Sequence, residues 1–270
     1  MWGGQAVAER AAQLMGSRCI GREDLIREAF KLDSSAEDHR AALHSDEHAW
    51  DKLASDRTTY VLTVTAALAG YAASNDLIYH GCAGHLLLKG IPAVLRVRVV
   101  APKDVRIRVL MESRSVSREE AESFIKRIDE SWARWTKFTY GVDWRDPLLY
   151  DLVINLEGVT VESACDCILH TAGRPEFTVT DEVRSKLADL ALTCRAKLAL
   201  AQNFVSQDLD LKVAARDGTI FIAAEKAQMA MPKAVLGQLE KSLAQIVTEV
   251  SGVKDVNIDL QVEDPAALPK

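Results

Sequence analysis

Basic residues are concentrated in one stretch of the sequence, between positions 96 and 118. Seven residues there are basic and two, Asp104 and Glu112, are acidic. A guanidinium group donates hydrogen bonds in a planar fork that matches phosphate oxygens, so the stretch indicates a site for a phosphorylated ligand. A solvated surface with structural ion pairs would need the same residue types, and this alternative stays open. The seven basic residues are Arg96, Arg98, Lys103, Arg106, Arg108, Arg114 and Arg118.

Two adjacent glycines, Gly3 and Gly4, precede a helix predicted over residues 5 to 15. The backbone N–H groups of a helix N-terminus bind anions, and glycine lets a ligand approach them closely. A complete phosphate loop has the form G-x-x-x-x-G-K-[ST] and follows a strand. The glycine pair has neither the lysine nor a preceding strand, so alone it is a weak phosphate signal.

Histidines form two further candidate groups. His80 and His85 flank a glycine-containing loop at the end of a predicted strand, where an imidazole can donate to a phosphate or a base edge. Bonding to the backbone of the loop is the alternative for both. His44 and His48 are four residues apart, but no third ligand follows at metal-binding spacing, so we expect no metal site.

Composition and charge restrict the class of protein. The chain has 270 residues, 48% of them apolar, and a net charge of −6, which argues against general nucleic-acid binding. Its five cysteines are scattered, which favours a reducing compartment over a disulfide framework. No apolar run is long enough to span a bilayer, and the first residues lack a signal-peptide pattern. We therefore expect a cytoplasmic protein.

Strands and helices alternate over the first 170 residues. This order predicts an α/β domain with a parallel sheet covered on both faces, and its ligands should bind at the carboxyl ends of the strands. Arg96 and Arg98 would share one face of their strand. The predicted strands are residues 18–20, 76–79, 94–100 and 150–156, and the main predicted helices are residues 5–15, 58–73, 117–135 and 161–169.

Residues 171 to 180 read as a linker, because Gly173, Arg174 and Pro175 interrupt the pattern. The order then changes to a long helix, a hairpin turning at Asp217-Gly218, a second helix and an alternating strand. We therefore expect a separate small α+β domain of order αββαβ over residues 181 to 264.

Several segments, taken in order, resemble the cytidylate-kinase-like family across about residues 3 to 170. The resemblance implies a P-loop kinase fold whose first strand is missing here, with ATP and Mg²⁺ as cofactors. It also implies a nucleoside monophosphate such as CMP or dCMP as acceptor. The matching segments are GGQAVAER from residue 3, RCIGRE from residue 18, HGCAGHLLL from residue 80, VLRVRVVAP from residue 94, RWTK from residue 134, YGVDWRDP from residue 140 and YDLVIN from residue 150.

The resemblance also implies roles for individual residues. Three features depart from the family pattern: the first strand and its lysine are missing, Trp132 stands where a lid arginine is expected, and His80-Gly81 replaces Gly-Arg. The roles implied are catalysis for Arg106, Asp129 and Arg134, binding of ATP for Gly3, Gly4, Gln5 and Arg108, and binding of the acceptor for Arg22, His80 and His85.

The second domain resembles a BON domain in its element order and in its hairpin. That resemblance implies a module that contacts membranes or other domains, and the absence of a basic or aromatic membrane face favours docking within the chain or a regulatory protein partner. Two functions follow from the sequence: a nucleotide-binding kinase-like protein, or an inactive kinase-like scaffold that acts through the second domain.

Overall fold

The structure is a computed structural model, and it describes residues 2–31, 57–81, 83–207, 209–224 and 233–260. The chain divides into two compact units. One comprises Met1–Arg57 with Asn75–Thr180, and the other comprises Thr58–Ser74 with Asp181–Lys270. The helix at residues 58–74, which the sequence analysis placed in the first domain, thus belongs to the second unit. None of the described helices is long and apolar enough to cross a bilayer.

Short strands alternate with helices in the first unit. Its first helix begins earlier than predicted and includes both glycines, Gly3 and Gly4. The elements are α1 Trp2–Met15, β1 Arg18–Gly21, α2 Arg22–Lys31, β2 Leu77–His80, α4 Gly84–Leu87, β3 Val97–Val100, α5 Lys103–Arg114, α6 Arg118–Tyr140, β4 Leu152–Asn155 and α7 Val161–Ala172; the helix α3, Arg57–Ser74, lies between α2 and β2 in the chain.

The strands of the first unit form two parallel pairs, β1 with β2 and β3 with β4. Helix α1 packs against both pairs, because Ile78 of β2 and Val99 of β3 contact the same buried cluster as Val7 of α1. Parallel pairing is therefore confirmed. Within the described ranges, however, no strand pairs with both β2 and β3, so the two pairs are separate two-stranded sheets.

Only one face of β4 is well covered by the described residues. Ile154 packs into the cluster under α1 and α7, whereas its neighbour Val153 is 47% exposed. Successive side chains of a strand point to opposite faces, so the face away from α1 is open at this strand. The expected cover on both faces is thus not seen at β4.

Helices α5 and α6 form a hairpin with its own small core of Ile107, Leu110 and Ile125. The start of α6 is fixed by Ser117, whose hydroxyl accepts from the Glu120 N–H while the Glu120 carboxylate accepts from the Ser117 N–H. This is the capping box that the sequence predicts.

The second unit combines helix α3 with residues 181–260. The described part of its sheet has the order β5-β6-β7, in which β5 and β6 are antiparallel and β6 and β7 are parallel. The hairpin turns at Asp217-Gly218, where both residues have positive φ, 52° and 88°. Its elements after α3 are α8 Asp181–Ala201, β5 Leu211–Arg216, β6 Thr219–Ala224, α9 Lys233–Thr248 and β7 Asp255–Asp259.

Candidate functional site

The carboxyl ends of β1 and β2 lie side by side, with Gly21 opposite His80. The imidazole of His80 lies directly against Gly21, since a Cβ atom there would be 3.2 Å from Cε1 and 3.3 Å from Nε2 of the ring. The Gly21 N–H donates to Oδ2 of Asp24 at 3.3 Å. Glycine at this position therefore lets a histidine ring and a carboxylate reach the same strand end.

Arg22 follows Gly21 directly and begins α2. Its guanidinium carbon lies 5.2 Å from the centre of the Trp132 ring, a distance at which the ring attracts a cation. Trp132, the residue that departs from the family pattern, is thus a half-buried partner of an arginine expected to contact the acceptor.

Gly81 and Gly84, which follow His80, both lie against the ring of Tyr79. A Cβ atom on Gly81 would lie 2.7 Å from the Tyr79 hydroxyl and 2.9 Å from Cβ of Arg22. A Cβ atom on Gly84 would lie 2.6 Å from Cδ1 of the same ring. The glycines of this loop therefore allow Tyr79 and Arg22 to pack closely at the strand end.

The N-terminus of α1 is seated at the carboxyl ends of the other strand pair. A Cβ atom on Gly3 would overlap the side chain of Leu156, the residue that follows β4, and one on Gly4 would lie 3.8 Å from Cβ of Val99. The side chain of Gln5 donates to Glu9 Oε1 at 2.8 Å on the exposed helix surface. The first turn of α1 thus presents its N–H groups at the edge where ligands bind in parallel sheets.

The basic stretch does not converge on one point. Both terminal nitrogens of Arg106 donate to the carboxylate of Asp129, each at 2.7 Å, so these two predicted catalytic residues are partners of each other. Lys103 pairs with Glu122 in the same hairpin. The other predicted residues of α5 and α6, Arg108 and Arg134, are exposed.

A second group of side chains surrounds Tyr150, just before β4. The ring of His85 lies 4.6 Å from that of Tyr150 between centres, and the guanidinium carbon of Arg98 lies 4.8 Å from the Trp144 ring and 5.7 Å from the Tyr150 ring. Burial, together with the charges of Arg96 and Arg98, lowers the pKa of His85 to about 4. His85 is therefore neutral at pH 7.

Arg96 completes this group through a bidentate ion pair with Asp151. Its Nη2 donates to Oδ1 at 2.6 Å and its Nε to Oδ2 at 3.0 Å, and this bonding lowers the pKa of Asp151. Sequence reasoning missed Trp144, Tyr150 and Asp151 as partners of the arginines. Their only signal was that they lie in the segments YGVDWRDP and YDLVIN, which carry the family resemblance.

Metal ligation has no support among the described residues, where no group of three or more His, Cys, Asp or Glu could hold an ion. His44 and His48 lie outside the described residues.

Comparison with known proteins identifies the family of the chain. The chain matches the cytidylate kinase-like family over residues 2–158. No curated protein matches it. A similar solved structure is the crystal structure of an uncharacterized protein from Eubacterium ventriosum ATCC 27560, at 18% identity and a TM-score of 0.49, covering 63% of this chain and 92% of that one. Because the family match spans more than half of the sequence, the chain belongs to the cytidylate kinase-like family and is a nucleotide kinase-like protein.

Proposed function

We propose that this protein binds nucleotides at the carboxyl ends of its parallel strands and transfers phosphate from ATP to cytidine or deoxycytidine monophosphate. The observation that carries the proposal is the arrangement at these strand ends. Arg22 and His80 stand at the ends of β1 and β2, and the first turn of α1 stands at the ends of β3 and β4. All of these residues lie in the segment that matches the family.

The acceptor half of the proposed site consists of Arg22, His80 and Trp132. Arg22 supplies positive charge and fork-like donors for the phosphate of the monophosphate. The ring of Trp132 attracts that guanidinium, whose carbon lies 5.2 Å from the ring centre. His80 adds a group that can donate to a phosphate or to the edge of a base. His85, also predicted for this half, packs against Tyr150 near Arg98.

The donor half fits ATP in part. The N–H groups at the start of α1, around Gly3, Gly4 and Gln5, can hold phosphate oxygens, because the first N–H groups of a helix have no acceptor within it. The sequence lacks the lysine of a complete phosphate loop, and Mg²⁺ in such sites is held mostly by the phosphates with one or two carboxylates. ATP and Mg²⁺ are therefore proposed from the family alone.

Arg106, Arg108, Asp129 and Arg134 remain proposed catalytic and donor-site residues on the helical hairpin. Asp129 holds Arg106 in a fixed position. For Arg106 to neutralise a transferred phosphate, that phosphate would have to replace the carboxylate as its partner.

Two measurements test the proposal on the full chain: ADP formation with ATP, Mg²⁺ and each nucleoside monophosphate, and calorimetric titration with CMP and ATP. We expect turnover to be highest with a cytidine monophosphate. Arg22→Ala should weaken CMP binding about tenfold or more, because a charge-assisted contact to phosphate is lost. Arg174→Ala, a change at an exposed arginine outside the matched segment, is the matched control and should bind normally. No turnover and no binding of either nucleotide would reject the proposal.

We also propose that the second unit is a BON-like module that binds a protein partner. Its support is the order helix, strand, strand, helix, strand over residues 181–260. The full chain should bind a protein partner. Support for the proposal would be binding of that partner that is retained in Arg22→Ala and lost when this unit alone is disrupted.

A further inference from the structure

Three buried side-chain nitrogens near Tyr150 have no hydrogen-bond partner among the residues that the structure describes. They are Nε2 of His85, Nε of Arg98 and Nε1 of Trp144. Buried polar groups are nearly always hydrogen-bonded, so three such atoms in one place need an explanation. A ligand that accepts hydrogen bonds is one explanation that accounts for all three.

The three nitrogens belong to one contiguous cluster. The Arg98 guanidinium lies over both Trp144 and Tyr150, and His85 packs against Tyr150. The cluster is held from outside by the Tyr150 hydroxyl, which donates to the Trp144 carbonyl at 2.7 Å, and by Nη1 of Arg98, which donates to the Arg145 carbonyl at 2.6 Å. The side chains are thus fixed in place while these nitrogens stay unsatisfied.

The cluster lies on the sheet face opposite α1. Val99 packs toward α1, so Arg98, its neighbour along β3, points to the other face. That face is open at β4, where Val153 is 47% exposed. Arg98 is the register partner of Val153, so it lies on this exposed face beside β4.

The chemistry of the three nitrogens selects an anion with oxygen acceptors. Nε of Arg98 and Nε1 of Trp144 are N–H donors without an alternative, and neutral His85 can present a third N–H at Nε2. Among the described ion pairs, Arg96 is paired with Asp151 and Arg145 with Asp143, whereas Arg98 has no carboxylate partner. The charge of Arg98 acts on Asp143 only as one of several causes that lower the pKa of that carboxyl.

We propose that His85, Arg98 and Trp144 form a binding site for a small oxyanion that does not include Arg22, His80 or Trp132. The anion accepts hydrogen bonds from the three side chains and neutralises the charge of Arg98. Anion binding by these three side chains does not require phosphoryl transfer.

The test uses the indole N–H resonances of the full-length ¹⁵N-labelled protein. Trp144→Phe keeps an aromatic ring under Arg98 and identifies the Trp144 resonance by its disappearance. We expect inorganic phosphate to shift that resonance in a saturable way. Sodium chloride at equal ionic strength should shift it much less, because chloride is a weaker hydrogen-bond acceptor than phosphate oxygens. A parallel titration with acetate shows whether a planar oxyanion is accepted as well as a tetrahedral one.

Two variants separate this site from its neighbours. Arg98→Lys removes the Nε–H donor but keeps the charge, and it should weaken the phosphate response about tenfold. Arg22→Ala should leave the response of Trp144 unchanged, because phosphate at the nucleotide site is not its cause. Trp135→Phe removes a different indole of the first unit. It is the matched control and should leave the phosphate response of the Trp144 resonance unchanged.

The proposal is overturned if the Trp144 resonance ignores phosphate, if chloride shifts it equally, or if Arg22→Ala abolishes the shift. If Arg98→Lys does not fold, the response of the wild-type Trp144 resonance still decides the question. A failure of CMP binding with a preserved phosphate response would reject the nucleotide proposal alone.

Discussion

At the scale of single residues, glycines decide what can approach the strand ends. Gly81 and Gly84 admit the ring of Tyr79, and Gly21 admits the ring of His80. These glycines were visible in the sequence, but their neighbours were not, because the contact depends on where a distant side chain comes to lie. A glycine in a sequence indicates that a close contact is required there, but it does not identify the side chain that makes the contact.

Replacing Gly81 by alanine should weaken CMP binding. Its new Cβ atom would be 2.9 Å from Cβ of Arg22, so Arg22 must shift, and misplacement of a binding group by a fraction of an ångström lowers affinity about tenfold or more. Calorimetric titration with CMP measures the effect.

Gly237→Ala is the control for this change. Gly237 lies inside α9 with open space around it, so alanine there should stabilise the protein by about 1 kcal/mol and leave CMP binding unaltered. Equal CMP affinity in Gly81→Ala and wild type would show that Arg22 does not contact the nucleotide.

His85 gives a second prediction at this scale, the pH dependence of stability. Its pKa is lowered to about 4 by burial and by Arg96 and Arg98, whereas in the unfolded chain it titrates near 6.5. The unfolded state therefore binds the extra proton between these values, and stability should fall as pH drops from about 6.5 to about 4.

His85→Gln removes this titration and should flatten the pH dependence in that window. Melting temperatures of both proteins between pH 4 and 7 provide the comparison. Asp151 stays beside Arg96 in both proteins. Because its pKa is lowered, Asp151 changes its protonation below this pH window. Identical slopes in the two proteins would mean that His85 is not held in its neutral form by the fold.

At the scale of elements, most of the basic residues between positions 96 and 118 lie on the helical hairpin α5–α6. The capping box at Ser117 and Glu120 was predictable, because its parts are three residues apart. The pairing of Arg106 with Asp129 was not, because the two lie on different helices, 23 residues apart. Arg96 and Asp151 are 55 residues apart and directly precede β3 and β4. Local patterns thus predict helices and turns, while ion-pair partners depend on the tertiary fold.

The Arg106–Asp129 pair should couple energetically. A double-mutant cycle with Arg106→Ala and Asp129→Ala should give an interaction energy of about 1–2 kcal/mol, because the pair is bidentate and partly shielded from water. Urea unfolding of the four proteins measures it.

Lys103 and Glu122 form a more exposed pair in the same hairpin and provide the comparison, with a smaller coupling expected. Absence of coupling between Arg106 and Asp129 would leave Arg106 available for a phosphate and would favour a purely catalytic role.

At the scale of the whole molecule, the division into units differs from the order of the chain. Helix α3 lies between α2 and β2 in the sequence but belongs to the second unit. All residues from Thr63 to Ala69 are buried, so this helix is covered on several sides. The sequence shows that α3 must be covered, but not which unit covers it.

A chain that ends at Thr180 should expose α3. Because the partners of this helix lie in residues 181–270, the shortened chain should bind the dye ANS and self-associate, whereas the full chain should do neither. Dye fluorescence and analytical ultracentrifugation distinguish the two. A monomeric shortened chain without dye binding would place α3 in the first unit after all.

Hydrogen–deuterium exchange of the full chain, with and without CMP, tests the central claim most directly, because it reports where the nucleotide acts. We predict slower exchange in peptides covering residues 18–24 and 77–84, where β1 and β2 end, and unchanged exchange in residues 181–260. Protection confined to the second unit, or none at saturating CMP, would contradict a nucleotide site at the carboxyl ends of these strands.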